Sequence, residues 1–544
     1  MKTRFSLLSL AILACQVLVA QTHIQVKDPN TWTTDELAPY VGKEVIFDVP
    51  IFVTSNASSY NYTISTRRLY SPTNQAFPRT TAYQTVVSMN SKGAMQLSGV
   101  SAYHRCGEKI YNLRARVNSK ADLTFISGEW RGNTRAYMDT VNVRRLVNIA
   151  DCDTCLLVCT SNLENYFMGN NYHDRQRAKV IDALTHIDAD LFGFVEIECG
   201  KAAVEEIVSY LNNRLPHRNY TYVADGSTAS GSDTKAAFVY DKKLLKTYGE
   251  LQIIGTGVGK NRKEMQVFEQ RFNGERFIFS VNHFKAKTGG GTGKDADQKD
   301  GQGSYNAARC EEAQAVVDLY KRIAPQLQEK DILIMGDLNA YAKEDPIRLM
   351  FDHGMIDLHR AFHADTSYSY MFGGMASYID HALCNKTMYW QVTGMSGYHI
   401  NSDEDDNYNY QRSNDTTMFR CSDHDPVLVG LRLDSTLSGD PYFNGNNFGQ
   451  DSLTFYYMYE PGEETIEPVV YFDIYSINGF RICSPTRIRY DGILPETHTK
   501  YHTFSATDAN LPDELKQLMP LPSGIYILRF YYKNKVLNHK LIIK

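Results

Sequence analysis

The pattern of apolar and polar positions divides the chain into parts with different rhythms. In residues 21–150, short apolar stretches are separated by turn-forming Asn, Ser, Gly and Pro residues. Closely spaced stretches without helical periodicity indicate strands, so this part predicts an all-β N-terminal domain, either a barrel or a sandwich. The predicted strands cover residues 44–49, 84–87, 122–125 and 140–143.

From residue 151 the pattern changes to apolar strands that alternate with amphipathic helices. One helical face carries Val180, Ala183, Leu184 and Ile187, and a longer helix is predicted over residues 307–323. The predicted strands cover residues 155–159, 190–195, 236–240, 277–281, 332–335, 379–383 and 427–431. This alternation predicts an α/β domain over residues 151–435.

The two ends of the chain differ from this core. Lys2 and Arg4 precede an apolar stretch that ends at Ala20, a pattern typical of a secretory signal peptide over residues 1–20. No later stretch reaches the roughly 18 unbroken apolar residues of a membrane-spanning helix, so an exported, soluble chain is expected. A Gly- and Asn-rich stretch predicts a linker over residues 436–466, and strand-like residues 467–544 predict a C-terminal β-sandwich.

Composition and charge limit the possible partners. The 544 residues are 43% apolar and carry a formal net charge of −5. This globular composition is long enough for several domains, and it provides no general basic field. A nucleic-acid partner would therefore be bound by local Lys and Arg residues or by metal ions.

Cysteine spacing does not indicate a zinc site. Cys152 and Cys155 form an isolated C-x-x-C pair, with no further Cys or His at matching spacing nearby. A disulfide or two free thiols are expected there.

Polar groups that could converge on one site occur at six strand ends or loops. They are Asn162 with Glu164, Glu196, Asn282 with His283, Asp337 with Asn339, Asp380 with His381, and Asp423 with His424. Any one of these motifs also fits an ordinary strand end, but six of them beside apolar strands indicate a common rim. Glu196 and Asp423 offer hard oxygen ligands that suit Mg²⁺, Mn²⁺ or Ca²⁺. Histidines near carboxylates can transfer protons or stabilise a phosphate oxygen.

Residues 422–426, Ser-Asp-His-Asp-Pro, lead directly into the apolar residues 427–431. A strand points neighbouring side chains to opposite faces, so Asp423 and His424 can be held in fixed, different directions. This arrangement suits a site where one group binds a metal and its neighbour moves a proton.

The order of these motifs resembles the endonuclease/exonuclease/phosphatase superfamily over residues 155–433. The motifs are Asn162, Val195-Glu196, Asn282-His283, Gly336-Asp337-Leu338-Asn339, Ile379-Asp380-His381 and residues 422–426. The resemblance implies a four-layer α/β sandwich, in which two packed sheets lie between helices, with a divalent metal at the rim.

The resemblance also implies two groups of site residues. The implied metal ligands are Asn162, Glu196 and Asp423, and the implied catalytic residues are His283, Asp337, Asn339, Asp380 and His424. Asp380 would orient His424, and His283 would contact a phosphate oxygen. Asp337 and Asn339 would position the phosphate and the attacking water or leaving group. The general base stays open between Asp337 and His424.

Within the superfamily, residues 282–287 and 303–309 resemble a branch of secreted bacterial nucleases, which implies phosphodiester hydrolysis in DNA. Lys285 and Arg309 flank the Gly-rich insert at 287–294 and are the candidate substrate-binding residues. Nearby aspartates partly cancel this positive charge, so the sequence fits a solvated loop without a binding role equally well.

The accessory parts carry resemblances of their own. Residues 39–43 resemble the opening of the oligonucleotide/oligosaccharide-binding (OB) barrels attached to some secreted nucleases. Residues 475–479, 521–526 and the final strand resemble a type IX secretion sorting domain. The second resemblance implies the type IX machinery as a partner, and release from the cell or attachment to its outer surface.

The sequence as a whole predicts a secreted DNA endonuclease that depends on Mg²⁺, Mn²⁺ or Ca²⁺. Two alternatives stay open: a phosphoesterase that acts on phospholipid or inositol phosphate, like a sphingomyelinase, and a non-catalytic surface binding protein. The sequence does not separate DNA from RNA as the substrate. Cys384 and Cys421 are close in sequence to Asp380 and Asp423, and a disulfide between them is predicted.

Overall fold

The computed structural model describes most of residues 22–434 and parts of the C-terminal segment. The first range lacks residues 58–60, 102–103, 132–148, 151, 153, 229–230, 256–261 and 364–365. The C-terminal part comprises residues 452–458, 470–488, 492–494, 499–505, 516, 522, 524–532 and 535–543. The predicted signal peptide and the predicted strand at 140–143 lie outside the described residues.

The N-terminal part is a β-barrel with two short helical insertions. Its described strands are β1 (Thr22–Ile24), β2 (Glu44–Phe47), β3 (Ile51–Ala57), β4 (Asn61–Ser65), β5 (Met95–Ser98), β6 (Lys109–Ser119) and β7 (Asp122–Arg131). Its helices are α1 (Pro72–Gln75) and α2 (Thr81–Gly93). The sheet order β1-β2-β6-β3-β4-β5-β7 closes because β6 also pairs with β7. A closed ring of β3, β4, β5, β7 and β6 agrees with the expected all-β barrel.

The prediction of a strand at residues 84–87 is wrong, because these residues lie in the helix α2. The side chain of Thr80 caps this helix by accepting a hydrogen bond of 3.2 Å from the backbone N–H of Tyr83. Three of these four residues have β-branched side chains, which favour a strand on propensity, and four residues are too few to reveal a helical period.

The central part contains two six-stranded sheets. Its strands are β8 (Leu156–Tyr166), β9 (Leu191–Glu198), β10 (Tyr220–Tyr222), β11 (Thr234–Asp241), β12 (Leu245–Ile253), β13 (Lys263–Gln270), β14 (Arg276–His283), β15 (Ile332–Asp337), β16 (Met355–Asp357), β17 (Tyr370–Phe372), β18 (Met375–Ser377), β19 (Asp380–Asn385), β20 (Val392–Gly397) and β21 (Val427–Leu431). Its helices are α3 (His173–Ile187), α4 (Ala202–Arg214), α5 (Asn306–Leu327), α6 (Asp345–Asp352), α7 (Leu358–His363) and α8 (Lys386–Tyr389). The orders are β10-β11-β9-β8-β21-β20 in the first sheet and β12-β13-β14-β15-β19-β16 in the second.

These sheets and helices form the four layers that the resemblance implied. Leu191 and Phe238 of the first sheet share one core with Phe279 and Leu333 of the second. Helices α3 and α4 cover the outer face of the first sheet. Helices α5 and α6 cover the outer face of the second. The prediction of a four-layer α/β sandwich is confirmed.

Strand direction gathers the polar motifs at one edge of this sandwich. β8 runs parallel to β9, and β14 runs parallel to β15, so the carboxyl ends of each pair lie together. β19 runs antiparallel to β15 and begins at Asp380, directly opposite Asp337. β21 likewise runs antiparallel to β8, and the stretch at 422–426 precedes it at the same edge.

A glycine just before Asp337 makes this edge possible. Gly336 has a φ of +117°, and a Cβ atom there would lie 2.2 Å from the carbonyl oxygen of Asn282. Only glycine fits where the backbones of β14 and β15 approach this closely and the chain takes a positive φ.

The predicted disulfide between Cys384 and Cys421 is wrong. Cys384 lies in the core between the two sheets, whereas Cys421 lies in the core between the first sheet and its helices. The first sheet therefore separates the two sulfur atoms, and both cysteines are free and buried. Cys152 and Cys155 form a disulfide with each other, which was one of the two outcomes expected for the C-x-x-C pair.

The C-terminal part consists of two antiparallel sheets in the described residues. Its strands are β22 (Ser452–Met458), β23 (Val470–Ser476), β24 (Arg481–Ile488), β25 (Gly492–Leu494), β26 (Thr499–Ser505), β27 (Gly524–Tyr532) and β28 (Lys535–Ile543). Their orders are β22-β26-β25 and β24-β23-β27-β28. β22 falls inside the predicted linker, which corrects that prediction, because this segment pairs with β26 along seven positions. None of the described helices is long and apolar enough to cross a membrane.

Candidate active site

Three side chains from the two sheets meet at the centre of the edge. Nε2 of His283, at the end of β14, lies 3.6 Å from Oε1 of Glu196 and 3.7 Å from Oδ2 of Asp337. One ligand-type atom from each of these residues lies within 4.8 Å of the other two. Sheet packing, and not sequence proximity, therefore creates this group.

A second group shares Asp337 and contains His424. Nδ1 of His424 lies 2.8 Å from Oδ2 of Asp380 and donates a hydrogen bond to it. Nε2 of His424 lies 3.9 Å from Oδ2 of Asp337 and points into the site. The hydroxyl group of Ser369 donates a further hydrogen bond of 2.7 Å to the same Asp380 oxygen. Asp380 thus orients the imidazole, which is the role that the resemblance implied.

The surroundings of the two histidines shift their pKa values in opposite directions. Burial lowers the pKa of His283 to about 3, and the nearby cations Arg262, Lys263 and Lys285 act in the same direction. Burial also opposes charge on His424, but the carboxylates of Asp380, Asp423 and Asp337 raise its pKa well above the usual value. Burial and the nearby cations thus favour the neutral form of His283, whereas the carboxylates favour the charged form of His424.

The positive charge near the central carboxylates does not offset the effect of their burial. Burial raises the pKa values of both Glu196 and Asp337, and His424 only partly opposes this effect. Clustered acidic oxygens in a buried site are stabilised by a bound cation.

The residues present fit a hard divalent ion. Asp337 offers a buried carboxylate, and Glu196 offers one with 18% of its side chain exposed. Asp423 offers another from the rim, 36% exposed and close enough to raise the pKa of Glu196. Carboxylate oxygens prefer Mg²⁺, Mn²⁺ or Ca²⁺ to zinc. This donor set agrees with the divalent metal expected for the site.

Asn162 holds the carboxylates together. Its amide nitrogen donates hydrogen bonds to Glu196 (3.1 Å) and to Asp337 (3.3 Å). Its amide oxygen accepts a hydrogen bond of 2.9 Å from the backbone N–H of Glu164. This geometry favours a role in fixing the two acids over the implied role as a metal ligand.

Asn339 also holds the carboxylate of Asp337 in place. Its backbone N–H donates to Oδ1 of Asp337 over 2.8 Å, and its side-chain amide donates to Oδ2 over 3.2 Å. Its φ of +49° lets the chain fold back over the carboxylate. The implied pairing of Asp337 with Asn339 is present, and Asn339 acts directly on the acid.

The two predicted substrate-binding residues differ in exposure. Lys285 is exposed, and its ammonium group lies 4.7 Å from the centre of the Tyr305 ring. Arg309 has 0% exposure, which corrects its prediction as a substrate contact. Its guanidinium group donates hydrogen bonds to the backbone carbonyl groups of Lys285, Gln302 and Ser304. Arg309 therefore fixes the two ends of the insert that follows His283.

Sequence reasoning missed an aromatic hairpin beside His424. The ring of Tyr370 in β17 lies 4.7 Å from the imidazole of His424. Phe372 lies nearly parallel to Tyr370, with ring centres 6.4 Å apart, and it is 63% exposed. Aromatic residues around the Gly-Gly pair at 373–374, just before Asp380, were the available sequence signal.

Sequence reasoning also missed Arg262, a cation close to His283. It is partly buried next to the start of β13, close enough to His283 to lower the pKa of that imidazole. Its Nε atom is buried without a hydrogen-bond partner among the described residues. No sequence motif marks Arg262, because only the pairing of β13 with β14 brings it to the site.

Comparison with known proteins finds a family model that is similar to the central part. The model of the "Endonuclease/Exonuclease/phosphatase family" matches residues 159–424. A comparison with curated protein sequences finds no match.

Several solved structures are similar to about half of the chain. One is an endonuclease/exonuclease/phosphatase family protein from Bacteroides thetaiotaomicron, with 18% identity over 52% of this chain and 98% of that chain, and a TM-score of 0.35. The human Nocturnin catalytic domain with bound sulfate anion has 12% identity over 52% of this chain and 95% of that chain, and a TM-score of 0.36. The mannosyl-6-phosphatase Bt3783 of B. thetaiotaomicron has 17% identity over 50% of this chain and 98% of that chain, and a TM-score of 0.34. Likeness at this level carries no information about the substrate of this chain.

Proposed function

We propose that the protein is a divalent-metal-dependent nuclease that cleaves DNA. The model of a family named for endonucleases, exonucleases and phosphatases matches residues 159–424, and enzymes of these kinds hydrolyse phosphoester bonds. The observation that carries the proposal is the buried group around Asp337, whose Oδ2 atom lies 3.7 Å from Nε2 of His283 and 3.9 Å from Nε2 of His424. Such a group is costly to bury unless it acts on a ligand.

Three carboxylates would hold the metal ion, namely Glu196 and Asp337 from the buried centre and Asp423 from the rim. When bound, such an ion polarises a phosphoryl oxygen and neutralises charge that develops on it. Asn162 and Asn339 keep the buried acids in place through the hydrogen bonds that they donate.

Proton transfer belongs to the pair of Asp337 and His424. Oδ2 of Asp337 and Nε2 of His424 lie 3.9 Å apart, so one attacking water can hydrogen-bond to both atoms. Asp380 fixes the ring so that Nε2 faces the substrate. His283 lies on the opposite side of Asp337, where its imidazole can donate to a phosphate oxygen.

Two features around this centre support nucleic acid as the substrate. The exposed Phe372 and the Tyr370 ring beneath it offer faces on which a base can stack. Arg262 and Lys285 give the side near His283 a positive potential that suits a phosphate backbone. The alternative substrate, an inositol phosphate, contains no base that could stack on these rings.

The proposal can be tested by incubating the purified protein with plasmid DNA, RNA or sphingomyelin vesicles. Each substrate is assayed with Mg²⁺ and, after metal stripping, with excess EDTA. We expect nicked and linear plasmid with Mg²⁺ and no product with EDTA. Undiminished cleavage in EDTA would refute the metal requirement, and hydrolysis of sphingomyelin alone would establish the lipid alternative. A metal-loaded protein that binds DNA without cutting it would support the non-catalytic alternative.

We also propose that the protein is exported, with removal of residues 1–20, and that its C-terminal segment engages the type IX secretion machinery. The charged and apolar pattern of residues 1–20 and the resemblance of residues 467–544 support this proposal. Mass spectrometry of the cell-free medium and of the surface fraction should identify a form that begins after residue 20. Recovery of the full-length chain only from the cytoplasm would contradict it.

A further inference from the structure

The N-terminal barrel contacts the central part through a buried ion pair. Arg105 donates hydrogen bonds to Oδ1 of Asp403 from Nε (2.8 Å) and Nη2 (2.5 Å), and Nη2 also contacts Oδ2. The side chains are 4% and 2% exposed. Nη2 of Arg105 also donates to the backbone carbonyl of His399 over 3.1 Å. One guanidinium group thus holds two points of the loop between β20 and β21.

From this ion pair, a chain of contacts leads to the catalytic stretch. The hydroxyl group of Tyr368 donates to Oδ2 of Asp403 over 2.7 Å, and its ring stacks on His399 with centres 3.8 Å apart. Nδ1 of His399 lies 2.9 Å from Oδ2 of Asp425, which directly follows His424. Every link is a hydrogen bond or a ring contact between adjacent side chains.

A second connection uses the backbone of the barrel. Ala376 in β18 donates its N–H to the carbonyl of Leu69 over 2.8 Å, and Ser71 donates its N–H to Oγ of Ser377 over 2.8 Å. Residues 69–71 therefore lie along the outer edge of the β17–β18 hairpin like a further strand. The opposite side of this hairpin carries the aromatic residues that approach His424.

Ser369, at the start of the hairpin, joins both connections to the proton-transfer pair. Its carbonyl accepts a hydrogen bond of 2.8 Å from the N–H of Asp425. Its hydroxyl group donates to Oδ2 of Asp380, the oxygen that orients His424. A shift of the hairpin would therefore move Asp380 relative to the imidazole.

We propose that the N-terminal barrel is a positioning element of the active site, with Arg105 and residues 69–71 holding the hairpin and the 398–425 loop in the geometry that His424 requires. This inference rests on the proposed hydrolysis, and it assigns the barrel a task other than binding nucleic acid by itself. Buried ion pairs contribute little net stability compared with apolar replacements. The value of this pair lies in the position that it imposes on Asp403, and through Asp403 on the site.

The test replaces the ion pair without leaving a buried charge behind. The variant Arg105→Met/Asp403→Leu removes both partners, and Tyr368→Phe removes only the hydroxyl group that reaches Asp403. The control is Arg79→Met, because Arg79 joins the same two parts of the protein through an exposed ion pair with Asp345, 2.6 Å long, away from the hairpin. All variants are first checked by thermal unfolding.

Activity is measured on bis(p-nitrophenyl) phosphate, a diester too small to reach from the site to the barrel. We expect the double variant to lose about tenfold to hundredfold in kcat, with KM changed by less than about twofold, because misplaced groups slow the chemical step. Tyr368→Phe should show a smaller loss in kcat, and Arg79→Met should match the wild type. A folded double variant with the wild-type kcat, or with only KM raised, would overturn the proposal.

Hydrogen exchange provides a readout that does not need activity. In the double variant, the amides of residues 369–380 and 398–425 should exchange faster than in the wild type and in Arg79→Met, and unchanged exchange there would also overturn the proposal. If the double variant does not fold, Tyr368→Phe decides by the same two measurements. A wild-type protein that hydrolyses no phosphodiester would refute the proposed function, whereas the exchange data would still decide whether the barrel holds the hairpin.

Discussion

At the scale of single residues, the environment assigns different tasks to side chains of the same type. His283 and His424 both lie close to Asp337, but burial among cations lowers the pKa of the first, while three carboxylates raise the pKa of the second. Lys285 and Arg309 both follow His283 in sequence, yet one faces solvent and the other is fully buried. Residue type alone does not separate these cases.

Replacing His424 with Ala should abolish most of the activity and leave the fold intact. The buried imidazole points into the site, whereas the apolar strand β21 that follows it forms part of the core. We expect a loss of about 10²-fold to 10⁴-fold in kcat, measured as the initial rate on plasmid DNA, with an unchanged circular dichroism spectrum. His186→Ala, at a histidine whose side chain is 54% exposed, is the control. A folded His424→Ala protein with a near-normal rate would make residues 422–426 structural only.

Replacing Arg309 with Ala should reduce stability and not substrate affinity alone. The change removes three hydrogen bonds from a buried guanidinium group to backbone carbonyls, which are then left without donors. We expect a loss on the order of 3 kcal/mol in the free energy of unfolding, measured by urea denaturation. Weakened DNA binding at unchanged stability would restore Arg309 as a substrate contact.

At the scale of elements, the site depends on how closely the two sheets pack. Gly193 in β9 faces β14, and a Cβ atom there would lie 2.4 Å from Cγ2 of Val281 and 3.1 Å from Cγ2 of Thr160. Close approach of β9 and β14 at this point brings Glu196 and His283, three and two residues further along their strands, into contact.

Gly193→Ala is expected to overpack this interface. The added methyl group would force the sheets apart or move Val281, at a cost of about 1–3 kcal/mol in the free energy of unfolding. Gly169→Ala is the matched control, because nothing lies within 4 Å of a Cβ atom at that glycine. Equal urea midpoints for the two variants would show that the sheets can adjust without cost.

The layers also determine the state of the cysteines. Because the first sheet separates Cys384 from Cys421, both thiols should be alkylated when the protein is denatured without reductant. Peptide mass spectrometry should find Cys152 and Cys155 unlabelled under the same conditions, since they form a disulfide. A peptide pair that links Cys384 to Cys421 would contradict the assignment of these residues to different cores.

At the scale of the whole molecule, the negative net charge means that a polyanion such as DNA can be attracted only by local groups of positive charge. The net charge is −5, and the cations that influence His283 are concentrated on one side of the site. A few contacts at the site, together with the metal, would then provide the electrostatic part of binding.

The salt dependence of DNA binding should reveal these contacts. Arg262→Ala and Lys285→Ala should each reduce the slope of log affinity against log salt by about one unit, and both should weaken binding to all sequences alike. Lys242→Ala is the control, since that side chain is exposed in the turn after β11, at the opposite end of the first sheet from Glu196. Parallel slopes for all four proteins would exclude Arg262 and Lys285 as phosphate contacts and favour a small or lipid substrate.

Much of the architecture was determined by the sequence itself. Apolar periodicity located the alternating strands and helices of the central part, because a buried strand and an amphipathic helix leave different periods. The polar residues at strand ends were also recognisable, since Glu196, Asp337 and Asp380 each adjoin an apolar run. Local pattern failed where a helix contains β-branched residues, as in α2, or where composition conceals a strand, as in β22.

Only the tertiary structure decided which of these groups act together. Arg309 became a buried anchor and Arg262 a neighbour of His283 through the course of the backbone, which sequence spacing does not encode. The separation of Cys384 from Cys421 depends on which face of a sheet each residue occupies. The contact of Arg105 with Asp403 joins residues 298 positions apart. Interactions over such separations follow from the packing of whole layers, and this is why the link between the barrel and His424 appears only in the folded chain.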